Sequence, residues 1–291
     1  MKSRIGLPLA GAALVAGLLV VSGTLFRDDV PASRKITASA SESPNSAITG
    51  HVHGIARYPG SADVYVATHD GLYVLTGSGK SQRVGPVIDL MGFTITQQGA
   101  LLASGHPGIG TDLPQPVGLI ESSDRGKSWT VRSRGGQSDF HALIQSPKGV
   151  LGYDGTLRSS SDGRTWRTLP APGEVTALGA SPDGATVLAA TTTGLHTSST
   201  SGSAWSAVPD APALMLLDWA DATRVVGMDQ SGAVFVSSDA GHTWKEAATK
   251  PVGPPQAVGA GIVDGRVEIL AVTRTAVVIS TDGGSTFTPL P

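Results

Sequence analysis

The sequence predicts an all-β fold made of short, repeated antiparallel strands, and three observations support this. Glycine and proline are abundant, with 38 and 19 copies in 291 residues, which argues against long helices. Apolar segments are short and end at turn-forming residues. One octapeptide pattern also recurs along the chain at nearly constant spacing. Together these features indicate a repeat protein whose units are small β-sheets.

The octapeptide reads Ser-x-Asp-x-Gly-x-Thr-Trp, and it occurs with variations at residues 122–129, 160–166, 198–205, 237–244 and 280–287. The second copy is one residue short, and the third has Thr200 where the aspartate should be. The copies end in aromatic residues spaced roughly 40 residues apart, namely Trp129, Trp166, Trp205, Trp244 and Phe287.

Each copy belongs to a longer unit of four short strands, and six such units fill residues 47–291. Four strands per unit at this period are typical of a β-propeller, whose radial packing protects the sheet edges. The sequence therefore predicts a six-bladed β-propeller. An aspartate at the start of a tight turn accepts backbone hydrogen bonds, and the glycine supplies a positive φ. We therefore assign a structural role to Asp124, Asp162, Asp239 and Asp282.

These residues resemble the Asp-box, or BNR, repeat shared by sialidases, sortilin-type ectodomains and photosystem II assembly factors. The resemblance extends over residues 47–291. Proteins with this repeat are commonly labelled glycosyl hydrolases. The resemblance implies that Asp-box hairpins join the outer two strands of each blade, away from the ligand-binding channel.

Sialidase chemistry is not carried over by the resemblance. Sialidases bind the substrate carboxylate with three arginines, the first in an Arg-Ile-Pro-like motif, and attack with a tyrosine that a glutamate activates. No such motif occurs here, and Glu121 and Glu246 flank octapeptides rather than the channel. Glycoside hydrolysis needs two carboxyl groups at a defined separation, and the sequence identifies no such pair. A shared fold does not establish a shared activity.

Composition excludes several classes of partner. The chain has 21 Lys and Arg against 23 Asp and Glu, a net charge of -2, so it lacks the basic surface that nucleic acid binding requires. It has no cysteine, which excludes disulfides and thiolate ligands. Any bound metal must therefore use histidine, methionine or carboxylate ligands.

The N-terminus predicts an extracytoplasmic location. Lys2 and Arg4 precede an uncharged apolar run at residues 5–26 that is long enough to span a bilayer as a helix. Residues 1–26 are thus either a transmembrane anchor or a cleaved signal segment. Residues 27–46 lack apolar periodicity and are predicted to be a flexible linker to the propeller at 47–291. The protein is therefore expected to be membrane-anchored or secreted, with membrane contact only through this segment.

The histidines are predicted to gather at one face of the propeller. In each blade the innermost strand begins near the face where its antiparallel neighbour ends, and these positions converge on the channel mouth. This rule places five of the seven histidines there: His51, His53, His69, His106 and His141. It excludes His196, in a third strand, and His242, inside an octapeptide. It also places Met91, Met215 and Met228 near that face.

Two histidines in His51-Val52-His53 project to the same side of a strand, because side chains alternate. Neutral imidazoles with a carboxylate favour zinc or copper. The predicted metal ligands are His51, His53, His69 and His141, and the predicted ligand-binding residues are His106, Asp154, Asp218 and Asp229. The alternative is that these histidines only hydrogen-bond to loop backbone around a solvated channel.

Two functions therefore remain open. The first is a non-catalytic propeller that binds a metal ion, small ligand or protein at the histidine-lined face. The second is a glycosyl hydrolase that uses channel carboxylates such as Asp154, Asp218 or Asp229.

Overall fold

The chain forms six antiparallel sheets, each wound from consecutive strands, and this confirms the predicted six-bladed β-propeller. The structure, a computed structural model, describes residues 35–37, of which only the backbone is considered, 48 and 50–290. No helix in that described part has the length and apolarity needed to cross a membrane. The predicted anchor at residues 1–26 lies outside the described residues.

The strands of blades 1 to 3 follow the chain in order from the axis outward. They are β2 (Val52–Arg57), β3 (Val64–Thr68), β4 (Gly71–Leu75) and β5 (Ser81–Val84); β6 (Ile88–Ile95), β7 (Leu101–Pro107), β8 (Leu119–Ser122) and β9 (Ser128–Ser133); and β10 (Ala142–Ser146), β11 (Gly149–Tyr153), β12 (Leu157–Ser160) and β13 (Arg167–Thr168).

Blades 4 to 6 repeat this arrangement with short outer strands. They are β14 (Val175–Ala180), β15 (Val187–Thr191), β16 (Gly194–Ser198) and β17 (Ser206–Ala207); β18 (Leu214–Trp219), β19 (Val225–Asp229), β20 (Val234–Ser237) and β21 (Lys245–Glu246); and β22 (Pro255–Val263), β23 (Arg266–Thr273), β24 (Val277–Ser280) and β25 (Thr288–Pro289). The first strands of neighbouring blades contact one another all the way round, so they line the axis.

A fifth strand extends blade 2. Strand β1 (Lys35–Thr37) pairs antiparallel with the outer strand β9, with Ile36 opposite Trp129. These three residues belong to the segment 27–46 that is predicted to be a flexible linker. The outer edge of β9 offers unpaired backbone groups to any extended segment within reach.

The hydrophobic core is divided into six layers, one between each pair of neighbouring blades. The second strands make this possible because their side chains alternate between two faces. In β15, for example, Val187 and Ala189 pack toward blade 3, whereas Leu188 and Ala190 pack toward blade 5. Each second strand is therefore buried on both faces, which explains its nearly continuous apolar sequence.

The octapeptides form the hairpins between the third and fourth strands of blades 2 to 6. In blade 5 the Asp239 carboxylate accepts hydrogen bonds from the Ser237 hydroxyl and from the backbone N–H of Thr243, each at 2.8 Å. Gly241, at a φ of 87°, donates its N–H to the Ser237 hydroxyl oxygen. The hydrogen bonds from Thr243 and then Ser237 lower the pKa of Asp239 to about 2.

No strand is exchanged between the first and last blades in the described residues, so the ring is closed by contacts between β2 and β22 and their neighbours. The Arg57 side chain donates to both carboxylate oxygens of Glu268, at 2.6 and 2.8 Å, across this junction. Glu268 is only 2% exposed. The backbones also approach closely, since a Cβ on Gly259 would lie 2.5 Å from the carbonyl oxygen of Ile55.

The first prediction concerns this ring closure. Replacing Glu268 with alanine leaves the partly buried Arg57 guanidinium without a countercharge, and we expect the free energy of unfolding to fall by about 3 kcal/mol. Glu246→Ala, at an exposed position of β21, is the matched control and should change it by less than about 0.5 kcal/mol. Urea unfolding measures both, and equal effects would show that the pair does not secure the junction.

The second prediction concerns the octapeptide hairpins. Asp239→Ala removes the acceptor of three hydrogen bonds, from the Ser237 hydroxyl and from the N–H and hydroxyl of Thr243. We therefore expect the free energy of unfolding to fall by about 1 to 2 kcal/mol. In the variant copy of blade 4, Thr200 already accepts the equivalent N–H from Ala204 at 2.8 Å. Thr200→Asp should therefore be neutral or stabilising. A thermal unfolding series in which Asp239→Ala matches the wild type would contradict the structural role.

Candidate metal centre

Five histidines lie at one end of blades 1 to 3, and we call this end the histidine mouth. His51 directly precedes β2 and His53 lies within it, His69 directly follows β3, His106 lies near the end of β7, and His141 directly precedes β10. His196 lies in β16 and His242 in the β20–β21 hairpin, away from the mouth. The strand order therefore brings together the same histidines that the sequence grouped.

Three of these imidazoles form a compact triad in blade 1. The ring centroids of His51 and His53 are 4.7 Å apart, and those of His53 and His69 are 4.6 Å apart. One nitrogen of each ring can be chosen so that the three all lie within 4.8 Å of one another. Nitrogens this close can bind one ion at the usual Zn–N distance of about 2.0 to 2.1 Å after small side-chain rotations.

A β-bulge helps to position His53. The β2–β3 register shifts between Val52 and Gly54, and bulges of this kind redirect the side chain of the extra residue. The same shift recurs in four other first strands, which places five equivalent residues around the mouth. They are His53, Met91, Thr176, Met215 and Gln256. Blade 1 thus contributes a histidine where the other blades contribute uncharged side chains.

Two histidines of the triad are biased toward the neutral form. Burial, together with the neighbouring His51 and His69, lowers the pKa of His53 to about 4. Burial, His69 and Arg274 lower the pKa of His51. Metal binding requires neutral imidazole, so His53 is available as a ligand above about pH 5. Its Nε2 atom is buried and has no hydrogen-bond partner.

The other two histidines of the mouth share one carboxylate. Asp139 Oδ2 lies 2.9 Å from His141 Nε2 and 3.1 Å from His106 Nε2. Burial acts to raise the pKa of Asp139, but the hydrogen bonds and charges of His141 and His106 lower it overall. The same hydrogen bond raises the pKa of His141 against the effect of burial. His141, predicted as a ligand with the triad, therefore pairs with Asp139 instead.

Asp89 lies between the two groups. The Asp89 Oδ2 atom is 3.7 Å from His69 Nδ1, and Asp89 is the cross-strand neighbour of His106. Burial raises the pKa of Asp89. The sequence reasoning missed both Asp89 and Asp139. For Asp89 the available signal was strand pairing, since it is the second residue of β6, opposite His106.

Asp154 and Asp229 lie at the predicted end of their blades, but they stabilise turns. The Asp154 carboxylate accepts a hydrogen bond from Arg158 Nε at 3.0 Å. Asp229 accepts the backbone N–H groups of Ser231 and Ala233, at 2.8 and 2.9 Å. Both carboxylates therefore have structural partners within their own blades.

Two predicted placements are wrong. Asp218 is the fifth residue of β18 and pairs with Val226 near the start of β19, so it lies toward the end of the blade opposite the mouth. The error arose because the strand begins at Leu214, which puts Asp218 deeper along the channel. Met228 is fully buried between blades 5 and 6 and does not reach the mouth.

A cavity of about 860 Å³ follows the axis and is lined by the first strands of all six blades. His53 and His141 lie at its mouth end, and the β2–β3 and β22–β23 turns lie at the other. The Asp218 carboxylate lines it and accepts backbone N–H groups from Trp219 at 2.9 Å and Ala260 at 2.8 Å. Glu268, also in the lining, is paired with Arg57.

Fold and mouth together define a β-propeller with a cluster of imidazoles and carboxylates at one end of its channel. No family model and no curated protein matches the sequence. Among solved structures, the chain is similar to the Niastella koreensis GH74 enzyme, with a TM-score of 0.50 and 15% identity over 79% of this chain and 35% of that one. This chain therefore spans about a third of that enzyme's length.

The chain is also similar to YCF48, solved bound to D1 peptide, with a TM-score of 0.52 and 14% identity over 88% of each chain. Identities this low establish the β-propeller fold alone.

The third prediction concerns Asp218. Burial raises its pKa from 3.8 to about 6, although the N–H groups of Ala260 and Trp219 act in the opposite direction. Between about pH 4 and pH 6 the folded protein holds a proton that the unfolded chain has lost, so the free energy of unfolding falls as the pH rises. Since the Asp218 side chain borders the cavity, we expect the free energy of unfolding to fall by about 1 to 3 kcal/mol over this pH range.

The test compares urea unfolding of the wild type and Asp218→Asn at pH 4.5 and pH 7. The variant should gain stability relative to the wild type on going to pH 7, whatever pH-independent cost the substitution has. Asp264→Asn, at an exposed position of the β22–β23 turn, is the control and should show no such gain. Parallel pH profiles for the wild type and Asp218→Asn would contradict the raised pKa.

Proposed function

We propose that this protein is a non-catalytic binding propeller that holds a transition-metal ion, zinc or copper, at His51, His53 and His69. The observation that carries the proposal is the convergence of three imidazole nitrogens within 4.8 Å. Imidazole is a ligand that both metals favour. The lack of a partner for the buried His53 Nε2 supports it further, since buried polar atoms are normally hydrogen-bonded.

We further propose that the metal-bearing face meets a protein partner. Ile109 and Val252 are the most exposed large apolar side chains of the described residues, at 103% and 82%. Ile109 lies in the β7–β8 loop and Val252 in the loop before β22, and both loops reach the mouth end of their blades. A peptide-bound propeller among the similar structures, YCF48, supports a partner of this kind.

The proposal includes a location and a repeat type. Lys2, Arg4 and the apolar run at 5–26 support an extracytoplasmic propeller, either anchored by this segment or secreted after cleavage. The shared hydrogen bonding of the octapeptide hairpins supports their identity as Asp boxes. Metal coordination by histidine without cysteine is also compatible with an oxidising compartment.

The alternative is a glycosyl hydrolase, and the fold similarity to the GH74 enzyme is the reason to test it. Of the three carboxylates in the described cavity lining, Asp218 is bound by two backbone N–H groups and Glu268 by Arg57, whereas Asp264 lies exposed in the β22–β23 turn at the end opposite the mouth. Glycoside hydrolysis needs one carboxyl group to give up a proton and another to act on the sugar or a water molecule. These partners therefore favour the binding function over the hydrolase.

The fourth prediction tests the metal ion. Metal-free protein should bind Zn²⁺, and His53→Ala should weaken the tightest binding step by more than about 100-fold, because even partners of metal ligands contribute 10- to 100-fold. His242→Ala, in an exposed hairpin, is the matched control and should bind as the wild type does. Isothermal titration calorimetry measures both variants.

Two outcomes would contradict the proposal. Equal Zn²⁺ affinity in His53→Ala and His242→Ala would exclude the triad as the binding site. Turnover of an aryl glycoside panel that is abolished by Asp218→Asn would support the hydrolase instead.

A further inference from the structure

We infer that the histidine mouth binds a second transition-metal ion next to the first, with His106, Asp139 and His141 as its ligands and Asp89 between the two ions. This inference rests on the proposed function for the first ion, at His51, His53 and His69. It adds a second site, on blades 2 and 3, that a triad within blade 1 does not require.

The distribution of unsatisfied polar atoms supports the second ion. In the described residues, five buried side-chain nitrogen or oxygen atoms have no hydrogen-bond partner, and three of them belong to the mouth: His53 Nε2, Asp89 Oδ1 and Asp139 Oδ1. Each such atom costs about 1 to 3 kcal/mol when it stays unpaired. One ion at the triad would satisfy His53 but leave the two carboxylate oxygens, and a further cation beside Asp139 would pair them.

The geometry around Asp139 fits such a cation. Its Oδ2 lies 2.9 and 3.1 Å from the Nε2 atoms of His141 and His106. Ligand atoms bound tetrahedrally to one zinc ion at about 2.0 to 2.1 Å are roughly 3.3 Å apart. These three residues, unlike the triad, do not bring one ligand atom each within 4.8 Å of one another. The two imidazoles would therefore rotate toward a common ion to replace the two hydrogen bonds by metal bonds.

The orientation of His106 is fixed by a second contact. Its Nδ1 lies 3.0 Å from the side-chain amide of Gln115, and its Nε2 faces Asp139. A metal ion at Nε2 leaves the ring proton on Nδ1, which donates to the Gln115 amide when the amide oxygen is turned toward it. Metal-binding histidines are commonly oriented by such a hydrogen bond from the other ring nitrogen.

Asp89 is placed to connect the two sites. Its Oδ2 faces His69 of the triad at 3.7 Å, and its backbone is paired with that of His106. Its Oδ1 is buried without a partner. Two carboxylates, Asp89 and Asp139, would offset half of the charge of two divalent ions, which lowers the repulsion between them.

The fifth prediction concerns stoichiometry. The full-length protein, stripped of metal and dialysed against Zn²⁺, should retain two equivalents by elemental analysis. Asp139→Asn and His106→Ala should each retain one, and so should His53→Ala, which affects only the first site. Asp229→Asn makes the same change at the mouth end of blade 5, outside the cluster, and should retain two.

The outcomes separate this inference from the proposed function. One equivalent in the wild type, lost in His53→Ala but kept in Asp139→Asn and His106→Ala, overturns the second site and leaves the first intact. Two equivalents in every variant overturn both assignments, and so does no binding at all. As a control for folding, the thermal midpoint of each metal-free variant is compared with that of the wild type. Of Asp139→Asn and His106→Ala, the variant that keeps the wild-type midpoint decides the second site.

Discussion

The structure depends on one constraint, which is that the second strand of every blade buries both of its faces. Alternate side chains of β15 enter two different interfaces, and the same is true of β7 and β19. A strand buried in this way must have a blade on either side, so the sheets can satisfy it only by closing into a ring. Closure then turns every first strand toward the axis and gathers the starts of these strands at a single mouth.

Ring closure places a special demand on the junction of blades 1 and 6. No strand of the described residues crosses it, so side chains have to hold it: an apolar layer, the close approach at Gly259, and the Arg57–Glu268 ion pair. The backbone N–H of Val52 also donates to the Gln256 side chain at 3.3 Å across the junction. Because Val52 lies between His51 and His53, the contacts that close the ring also fix the strand that carries these two histidines of the triad.

The number of blades and the grouping of histidines could be predicted from the sequence because both follow from local regularities, the octapeptide spacing and the antiparallel order of neighbouring strands. The roles of Asp89 and Asp139 could not be predicted in this way. Aspartate is common in the turns of this chain, and only the pairing of β6 with β7 separates Asp89 from those. The partners Arg57 and Glu268 are 211 residues apart, so nothing local joins them.

The proposed centre is confined to half of the ring. Blades 1 to 3 supply every imidazole of the mouth, whereas the equivalent bulges of blades 4 and 5 carry Thr176 and Met215. Ions bound there would join three sheets that otherwise meet through apolar layers and a few polar contacts, such as those of Trp166 with Ser133 and of Arg125 with Asp63. Binding would then stabilise the folded state by an amount that rises with the metal concentration, since the unfolded chain does not hold these ligands together. The cluster would thus act as a cross-link in a protein without disulfides.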